Sequence, residues 1–353
     1  MRKLALFTGS LAIALAAGAG SSSAVPFNVV YVDAYAGFDD ATCGAAPQTP
    51  GTTAPCATLN QALQNSSPNG QIVVVRGNSF GPIYLTGPIA ILGPADSSLE
   101  IFNSGAAPGC IGAAPGTCAA STTAGVEIAA GTSDVIKLQN MTISGGPMGS
   151  AALKVDSAVG VALTGVKLRG GSSSSLTAMM QVASSQGSQL QLYLHNSDVG
   201  FSSVGGGITI APTGNTPVRM NINNSEVHNA LFGLQVVSTG LTGSASIQVL
   251  VDSTQFFSFN NSAISVASSN SANGAAVSLT RSAITNTGGA AFKANGAGAG
   301  GILYESAIIG NATGVSVVNG AGVFTYQNNQ ILFNGTNCAP AACSTVLTAQ
   351  PPS

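Results

Sequence analysis

Apolar and polar residues alternate in short segments that recur through the chain from residue 125 onward. Each repeat contains an alternating segment, a variable polar stretch, a second alternating segment, a small polar residue and a third short apolar segment. The small polar residues lie 25, 31, 28, 29, 28, 24 and 23 residues apart, at Asn140, Gly165, Asn196, Asn224, Ser253, Arg281, Glu305 and Asn328. The residues two positions before and three positions after each of them are apolar or aromatic. This period of two predicts β-strands with one buried face.

A further strand is predicted ahead of the variable stretch in most repeats. These strands are predicted at residues 125–128, 152–155, 207–210, 233–236, 263–266, 291–294 and 314–317. Three short strands in roughly 25 residues predict an all-β fold, a single-stranded right-handed parallel β-helix, whose turns (rungs) bury their apolar faces by stacking. A β-propeller or β-sandwich would require longer strands joined by hairpin turns.

The N-terminal end of this coil is predicted to be covered by a short amphipathic helix at residues 57–65. Leu59 and Leu63 would face the core and close its open end. The predicted organisation is a signal peptide at 1–24, a cap with the first rungs at 25–124, rungs continuous with the cap at 125–333 and a C-terminal tail at 334–353.

The aligned small polar residues are predicted to turn the chain at a corner between two strands. Asn tolerates left-handed backbone angles, and its amide can bond to the equivalent residues one rung above and below. The predicted corner ladder comprises Asn140, Asn196, Asn224, Ser253 and Asn328, with Ser197 and Ser225 beside it. Arg281 and Glu305 depart from the ladder and are expected to point into solvent. A polar binding strip is the alternative interpretation.

Charged residues make up only 6% of the chain, and its formal net charge is −2. Such a composition leaves few groups for acid–base or ionic chemistry. Nucleic-acid binding requires a basic patch, so a nucleic-acid partner is not expected. No cofactor is predicted.

The N-terminus has the layout of a signal peptide. Arg2 and Lys3 precede an apolar run at residues 4–19, and small residues favour cleavage after Ala24. A membrane anchor is the alternative, but polar residues interrupt the run and no later stretch is long enough to span a bilayer. The mature protein is therefore expected to be secreted or periplasmic.

The six cysteines form three pairs that are close in sequence, which favours disulfides in an exported chain. A metal site would require tighter Cys-x-x-Cys spacing or histidine partners, and neither accompanies these pairs. The predicted disulfides are Cys43–Cys56, Cys110–Cys118 and Cys338–Cys343.

Several segments resemble bacterial secreted right-handed parallel β-helix repeat proteins of the pectin-lyase-like fold: Val30-Tyr31-Val32, Cys56-Ala57-Thr58-Leu59, residues 70–74, residues 88–91 and, at the final rung, residues 326–331. The resemblance implies this fold and export. Pectate lyases of this group bind calcium through clustered acidic residues and use an arginine base, and polygalacturonases carry Asn-Thr-Asp, Asp-Asp and Gly-His-Gly signatures. The repeats contain none of these signatures, which argues against pectinolytic activity.

Two carboxylates at equivalent positions in neighbouring repeats and a histidine close to them are the candidate catalytic residues: Asp198, Glu226 and His228. Asp198 and Glu226 each lie two residues after a corner, and His195 and His228, the two histidines of the chain, lie within three residues of them. Stacked carboxylates are expected to raise one another's pKa, and paired carboxylates are required for glycoside hydrolysis. The alternative is a solvated sheet face.

A second acidic group, Asp33, Asp39 and Asp40, supplies oxygens that suit calcium, but its spacing does not match an EF-hand loop. No metal site is predicted from it.

Three functions follow from these features. The first is non-catalytic binding of polysaccharide or a cell-surface glycan through outward sheet faces and loops rich in Ser, Thr and Asn, although the chain has no Trp to stack on sugars. The second is a passive structural or adhesive module, and the third is a carbohydrate-active enzyme of the glycoside hydrolase or polysaccharide lyase type. The sequence does not specify an oligomeric state.

Overall fold

Three columns of parallel strands wind into one coil, as the repeats predict. The computed structural model describes residues 29–39, 43–44, 55–96, 98–110, 123–147, 149–171, 176–326 and 328–350. The predicted signal peptide, residues 1–24, lies outside the described residues. We refer to the three columns as the first, second and third sheets.

The first sheet holds the strand that precedes the aligned corner in each rung, and all its described pairings are parallel. Its strands are Val29–Asp33, Gly70–Arg76, Ile89–Leu92, Val135–Ser144, Gly160–Arg169, Leu190–His195, Val218–Asn223, Ile247–Asp252, Ala275–Thr280, Ala299–Tyr304, Gly322–Tyr326 and Leu347–Gln350.

The second sheet follows the corner. It is formed by Ser79–Phe80, Glu100–Phe102, the second halves of Val135–Ser144 and Gly160–Arg169, and by Asp198–Gly200, Glu226–Ala230, Gln255–Phe259, Ala283–Thr287, Ala307–Ile309 and Gln330–Leu332.

The third sheet closes each rung. Its strands are Ile83–Leu85, Gly109–Cys110, Ala124–Ala129, Ala151–Ser157, Ala178–Val182, Gly206–Ile210, Leu234–Val237, Ile264–Ala267, Ala290–Asn295, Thr313–Val318 and Thr336–Ala339.

The apolar residues that flank each corner form continuous columns inside the coil, which confirms the predicted register. Leu194, for example, lies between Leu163 and Ile222 in the first sheet, and Val227 lies between Val199 and Phe256 in the second. All six are at most 1% exposed. Each such side chain contributes about 1.5–3 kcal/mol relative to an exposed position, so stacking supplies the stability that one rung lacks.

Seven of the eight aligned corner residues have a positive φ, between 45° and 63°: Asn140, Gly165, Asn196, Asn224, Ser253, Arg281 and Glu305. The side-chain ladder, however, is made mainly by the next residue. Each hydroxyl accepts from the backbone N–H one rung below and donates to the carbonyl two residues back; Ser225 Oγ accepts from Ser197 N at 3.2 Å and donates to the Asn223 carbonyl at 2.8 Å. The same bonds recur at Ser197, Thr254, Ser282 and Ser306.

A second corner lies five residues after the first, and the repeat alignment had not singled it out. Its residues also have positive φ: Phe201, Asn229, Ser258, Asn286, Gly310 and Phe333. In the last rungs the amide of Asn311 bridges this corner, since Asn311 Oδ1 accepts from Thr287 N at 3.0 Å and its Nδ2 donates to the Ile284 carbonyl at 3.1 Å.

The N-terminal helix spans Leu59–Asn65 and buries Leu59, Ala62 and Leu63, two residues shorter than predicted. Two side chains hold its start: Thr58 Oγ1 accepts from Gln61 N at 3.2 Å, and Asp39 Oδ1 accepts from Ala57 N and Thr58 N, both at 2.9 Å. The Cys43–Cys56 disulfide ties the chain ahead of this helix.

At the other end, much of the segment predicted as a tail continues the coil. Thr336–Ala339 pairs in the third sheet and Leu347–Gln350 in the first. A short helix, Cys343–Val346, joins them, and the Cys338–Cys343 disulfide fixes this turn. Cys110 is also disulfide-bonded, but its predicted partner Cys118 lies outside the described residues.

Within the described part of the chain, no helix combines the length and apolar character needed to cross a bilayer.

Candidate functional site

Asp198 and Glu226 occupy directly paired positions on neighbouring strands of the second sheet. Asp198 is partly exposed and Glu226 is exposed, so both lie on the outward face. The same column continues from Lys167 to Gln255. The sequence thus placed the two carboxylates in adjacent rungs and selected His228, one partner of Asp198, but it did not select the other partner, Arg169.

Asp198 is held by a guanidinium on one side and an imidazole on the other. The Arg169 guanidinium binds the carboxylate through two nitrogens, with Nη1 2.8 Å from Oδ1 and Nη2 2.5 Å from Oδ2. His228 Nε2 lies 2.9 Å from Asp198 Oδ1. The Asp198 side chain is 30% exposed and that of Arg169 is 21% exposed, so water screens this ion pair only in part.

His228 is packed between rungs with little room to move. Its ring stacks on Phe257 with ring centres 4.7 Å apart and an interplanar angle of 3°, and it meets Phe201 edge to face at 4.9 Å. The residue is 4% exposed, and its Nδ1 is buried without a hydrogen bond to the described residues. Gly200 lies on the remaining face, where a Cβ atom would come within 2.5 Å of the ring.

The ionisation of Asp198 differs from the expectation for stacked carboxylates. Burial by itself raises its pKa, but the hydrogen bonds to His228 and Arg169 and the Arg169 charge outweigh burial and hold the pKa well below its ordinary value of 3.8. Asp198 therefore remains a carboxylate at any pH near neutral, and general acid catalysis by this group is not supported.

Phe201 is the most distinctive residue of the site. It follows Asp198–Gly200, has a φ of 65° and is 59% exposed. A bulky side chain rarely adopts this backbone region, because Cβ crowds the carbonyl oxygen at a cost of about 1–2 kcal/mol. The Arg169 guanidinium lies over the ring at 5.1 Å and His228 supports its edge. The backbone thus holds an aromatic face outward against a fixed support.

Other predicted candidates lie elsewhere. His195 ends the strand Leu190–His195 of the first sheet, on the other side of the corner, and is exposed. In the acidic group near the N-terminus, Asp33 forms an ion pair with Arg76 at 2.7 Å and accepts from two backbone N–H groups, while Asp39 caps the helix. Both oxygens of Asp33 and Oδ1 of Asp39 are already bonded to protein donors, and Asp40 lies outside the described residues. The described residues contain no group of three or more His, Cys, Asp or Glu suited to a metal ion.

A second titratable group, which the sequence analysis missed, lies on the outward face of the third sheet. Lys154 Nζ is 3.0 Å from both Glu127 Oε1 and Asp156 Oδ2, and Tyr84 pairs with Glu127 in register. Burial raises the pKa of Glu127, the hydrogen bond to Asp156 raises it further, and Lys154 opposes both. Because Lys154 contacts both carboxylates, the group is a closed ion-pair network.

Two shallow grooves flank the outward face of the second sheet. The first-corner groove, of about 420 Å³, contains the charged side chains of Arg281 and Glu305. The second-corner groove, of about 510 Å³, begins beside Phe201 and is lined by Ser202, Asn229, Ala230, Ser258, Phe259, Asn260, Asn286 and Gly288. None of these eight residues is charged.

No protein-family model matches the chain, and no curated protein matches its sequence significantly. Among solved structures, the chain is similar to pectate lyase Pel9A, with a TM-score of 0.52 and 10% identity over 89% of this chain and 78% of the lyase. It is also similar to the Dettilon tailspike protein, with a TM-score of 0.45 and 12% identity over 92% of this chain and 69% of the tailspike. The likeness to the lyase at this identity concerns the fold, and together with the three parallel sheets it shows that the chain folds as a right-handed parallel β-helix.

Proposed function

We propose that this protein is exported and binds polysaccharide without cleaving it, through the outward face around Phe201. The observation that carries the proposal is the exposed Phe201 ring, held at a positive φ and supported by Arg169 and His228. Costly backbone angles persist where the surrounding structure imposes them, and they concentrate at functional sites.

The chemistry around the ring suits a sugar. An aromatic face packs against the C–H face of a pyranose, and the neighbouring amides and hydroxyls can bond to its hydroxyl groups. In a chain without Trp, Phe201 therefore supplies an exposed aromatic surface on which a sugar can stack. The shared fold with a pectate lyase adds support for a carbohydrate ligand.

Binding without cleavage is favoured by the state of the candidate acid. Asp198 has a lowered pKa and both its oxygens are bonded, whereas glycoside hydrolysis needs one protonated carboxylic acid beside a carboxylate. Export is supported by the Cys43–Cys56 and Cys338–Cys343 disulfides, which persist in oxidising compartments, together with the predicted signal peptide.

A glycan array with the purified mature protein tests the proposal, followed by isothermal titration of the best ligand with Phe201→Asn. Asn tolerates the positive φ, so this change removes the ring with little strain. Affinity should fall at least tenfold. The matched control is Phe333→Asn, since Phe333 occupies the same position of the second corner with a φ of 56° and 82% exposure and should not alter binding.

Assays for new reducing ends and for unsaturated products should remain negative on every glycan that binds. A wild-type protein that binds no glycan, a Phe201→Asn protein that binds normally, or turnover in either assay would each overturn the proposal.

A further inference from the structure

We infer that the ligand is an uncharged linear polysaccharide that lies along the second corner, parallel to the axis of the coil. This inference rests on the proposed function and adds the ligand's charge class and its path. It contrasts with a polyuronate, which carries a carboxylate on every sugar unit.

The path follows from the position of the second-corner groove. Ser202, the residue after Phe201, is at one end, and its N–H donates to the Asn229 carbonyl one rung on at 2.9 Å. Asn229, Ser258 and Asn286 then occupy equivalent corner positions on three successive rungs. Neighbouring strands are about 4.8 Å apart, so the groove offers one polar side chain at each such step along the axis.

The positive φ of these three residues orients their side chains at the corner, where Asn229 and Asn286 are exposed. Asn286 Nδ2 donates to Ser258 Oγ at 3.1 Å. The side-chain oxygen Oδ1 of Asn286 and its second side-chain N–H can then bond to a ligand. The side-chain amides of Asn229 and Asn286 can each donate and accept hydrogen bonds, as can the hydroxyl groups of a sugar polymer.

The shape of the groove also depends on its smallest member. A Cβ atom at Gly288 would lie 2.6 Å from the Asn260 carbonyl oxygen. Glycine therefore lets two rungs approach closely at the far end of the groove, where a side chain would collide with the neighbouring backbone.

The charge class follows from the lining and from the pairing at its entrance. The eight lining residues are uncharged. Arg169, the cation that lies over the Phe201 ring, is bound to Asp198 by two nitrogens. A carboxylate on each sugar unit would find no cation among these eight lining residues.

The test is isothermal titration of the full mature protein with two series of probes, each from two to eight units long: neutral cello- and manno-oligosaccharides, and oligogalacturonates. We expect at least one neutral series to bind with an affinity that increases with length until the three rungs are spanned. The oligogalacturonates should bind at least tenfold more weakly. Affinity should be the same at low and high salt, since only charged contacts are screened.

Two variants place the ligand. Asn229→Gly and Asn286→Gly remove the amides while glycine keeps the positive φ, and each should weaken the longest neutral probe about fivefold to tenfold, as expected for one hydrogen bond. The shortest probes, bound at Phe201, should reach Asn229 but not Asn286, so only Asn229→Gly should weaken their binding. The control is Glu305→Gln in the first-corner groove, which should bind as wild type.

The inference fails if oligogalacturonates bind most tightly, if salt weakens binding, or if both groove variants bind normally. In each case a loss of binding with Phe201→Asn would still support the proposed function. Absence of binding by every probe would overturn the inference, and the glycan array would then decide the proposed function separately.

Discussion

The His228 imidazole occupies the space directly over the Cα of Gly200, one rung away. A Cβ atom at Gly200 would lie 2.5–2.8 Å from three ring atoms, Cε1, Nε2 and Nδ1. The absence of a side chain at residue 200 is therefore what allows the imidazole to stack on Phe257 and reach Asp198.

Gly200→Ala should displace the ring and disturb the whole site. Overpacking of a filled interior typically costs about 1–3 kcal/mol, and we expect a loss of this size in urea unfolding, together with weaker glycan binding. Gly322→Ala is the control, because Gly322 lies in a strand of the same coil and has nothing within 4 Å of its Cβ position. Equal stability of the two variants would contradict the packing described for His228.

The hydroxyl ladder at the first corner yields a second prediction. Ser225→Ala would leave the buried Ser197 N–H without its acceptor. It would also remove one of the two donors to the Asn223 carbonyl, which would keep its bond from the Asn196 N–H. An unsatisfied buried group costs about 1–3 kcal/mol, so the free energy of unfolding should fall by about that amount. Ser203→Ala, at an exposed position, should change it by less than about 0.5 kcal/mol. Similar small losses for both would show that the ladder contributes little.

The strands and core were predictable because their cause is local. Residues such as Leu194 and Val227 alternate with polar neighbours at a fixed distance from the corner, and that spacing repeats in the sequence. Asn328 forms the predicted bond to the neighbouring rung, since its Oδ1 accepts from Glu305 N at 3.2 Å. In most other rungs that bond comes from the next residue, because its hydroxyl is buried at the corner whereas the Asn side chain is more exposed. The last rung, which contains Thr336–Ala339 and Leu347–Gln350, was not predicted because apolar residues no longer recur there at the spacing of the earlier repeats.

The candidate site was only half predictable. Asp198 and Glu226 came from the repeat alignment, and the same alignment contains Arg169, Gly200, His228 and Phe257, each four residues after a corner. These equivalent positions could have predicted that the four residues stack on successive rungs. The positive φ of Phe201 was not predictable from its residue type, because bulky residues rarely adopt it. It belongs to the second corner, where the equivalent residues, Phe333 among them, also have a positive φ.

Arg169→Gln should destabilise the protein in a pH-dependent way. Because the pKa of Asp198 is lowered on folding, its stabilising effect is fully present above the ordinary value of 3.8 and is lost as the pH falls through the folded-state value. At pH 7 the free energy of unfolding of the wild type should exceed that of the variant by about 1–2 kcal/mol. This difference should become smaller as the pH falls from about 4 to about 2. Thermal unfolding across this range measures it.

The control for this prediction is Arg281→Gln. Arg281 pairs with Asp252 at 2.6 Å, but its side chain is 56% exposed, so a loss of less than about 1 kcal/mol is expected. A constant difference between wild type and Arg169→Gln from pH 7 to pH 2 would show that the pair does not set the ionisation of Asp198.

Lys154→Met should destabilise the protein most at high pH, because it concerns a carboxyl group, Glu127, whose pKa is raised on folding. Without Lys154, burial and Asp156 would raise the pKa of Glu127 further. A pKa raised on folding gives stability that is present below the ordinary value of 4.5 and is lost as the pH rises through the folded-state value. We expect the free energy of unfolding to fall by about 2 kcal/mol at pH 8, a value between those for exposed and buried pairs, and by clearly less at pH 4.

Lys293→Met is the control, because Lys293 lies on a later strand of the third sheet, and no carboxylate in the described ranges lies within ion-pair distance of it. If the two variants lose equal stability at both pH values, Lys154 does not hold the two carboxylates together.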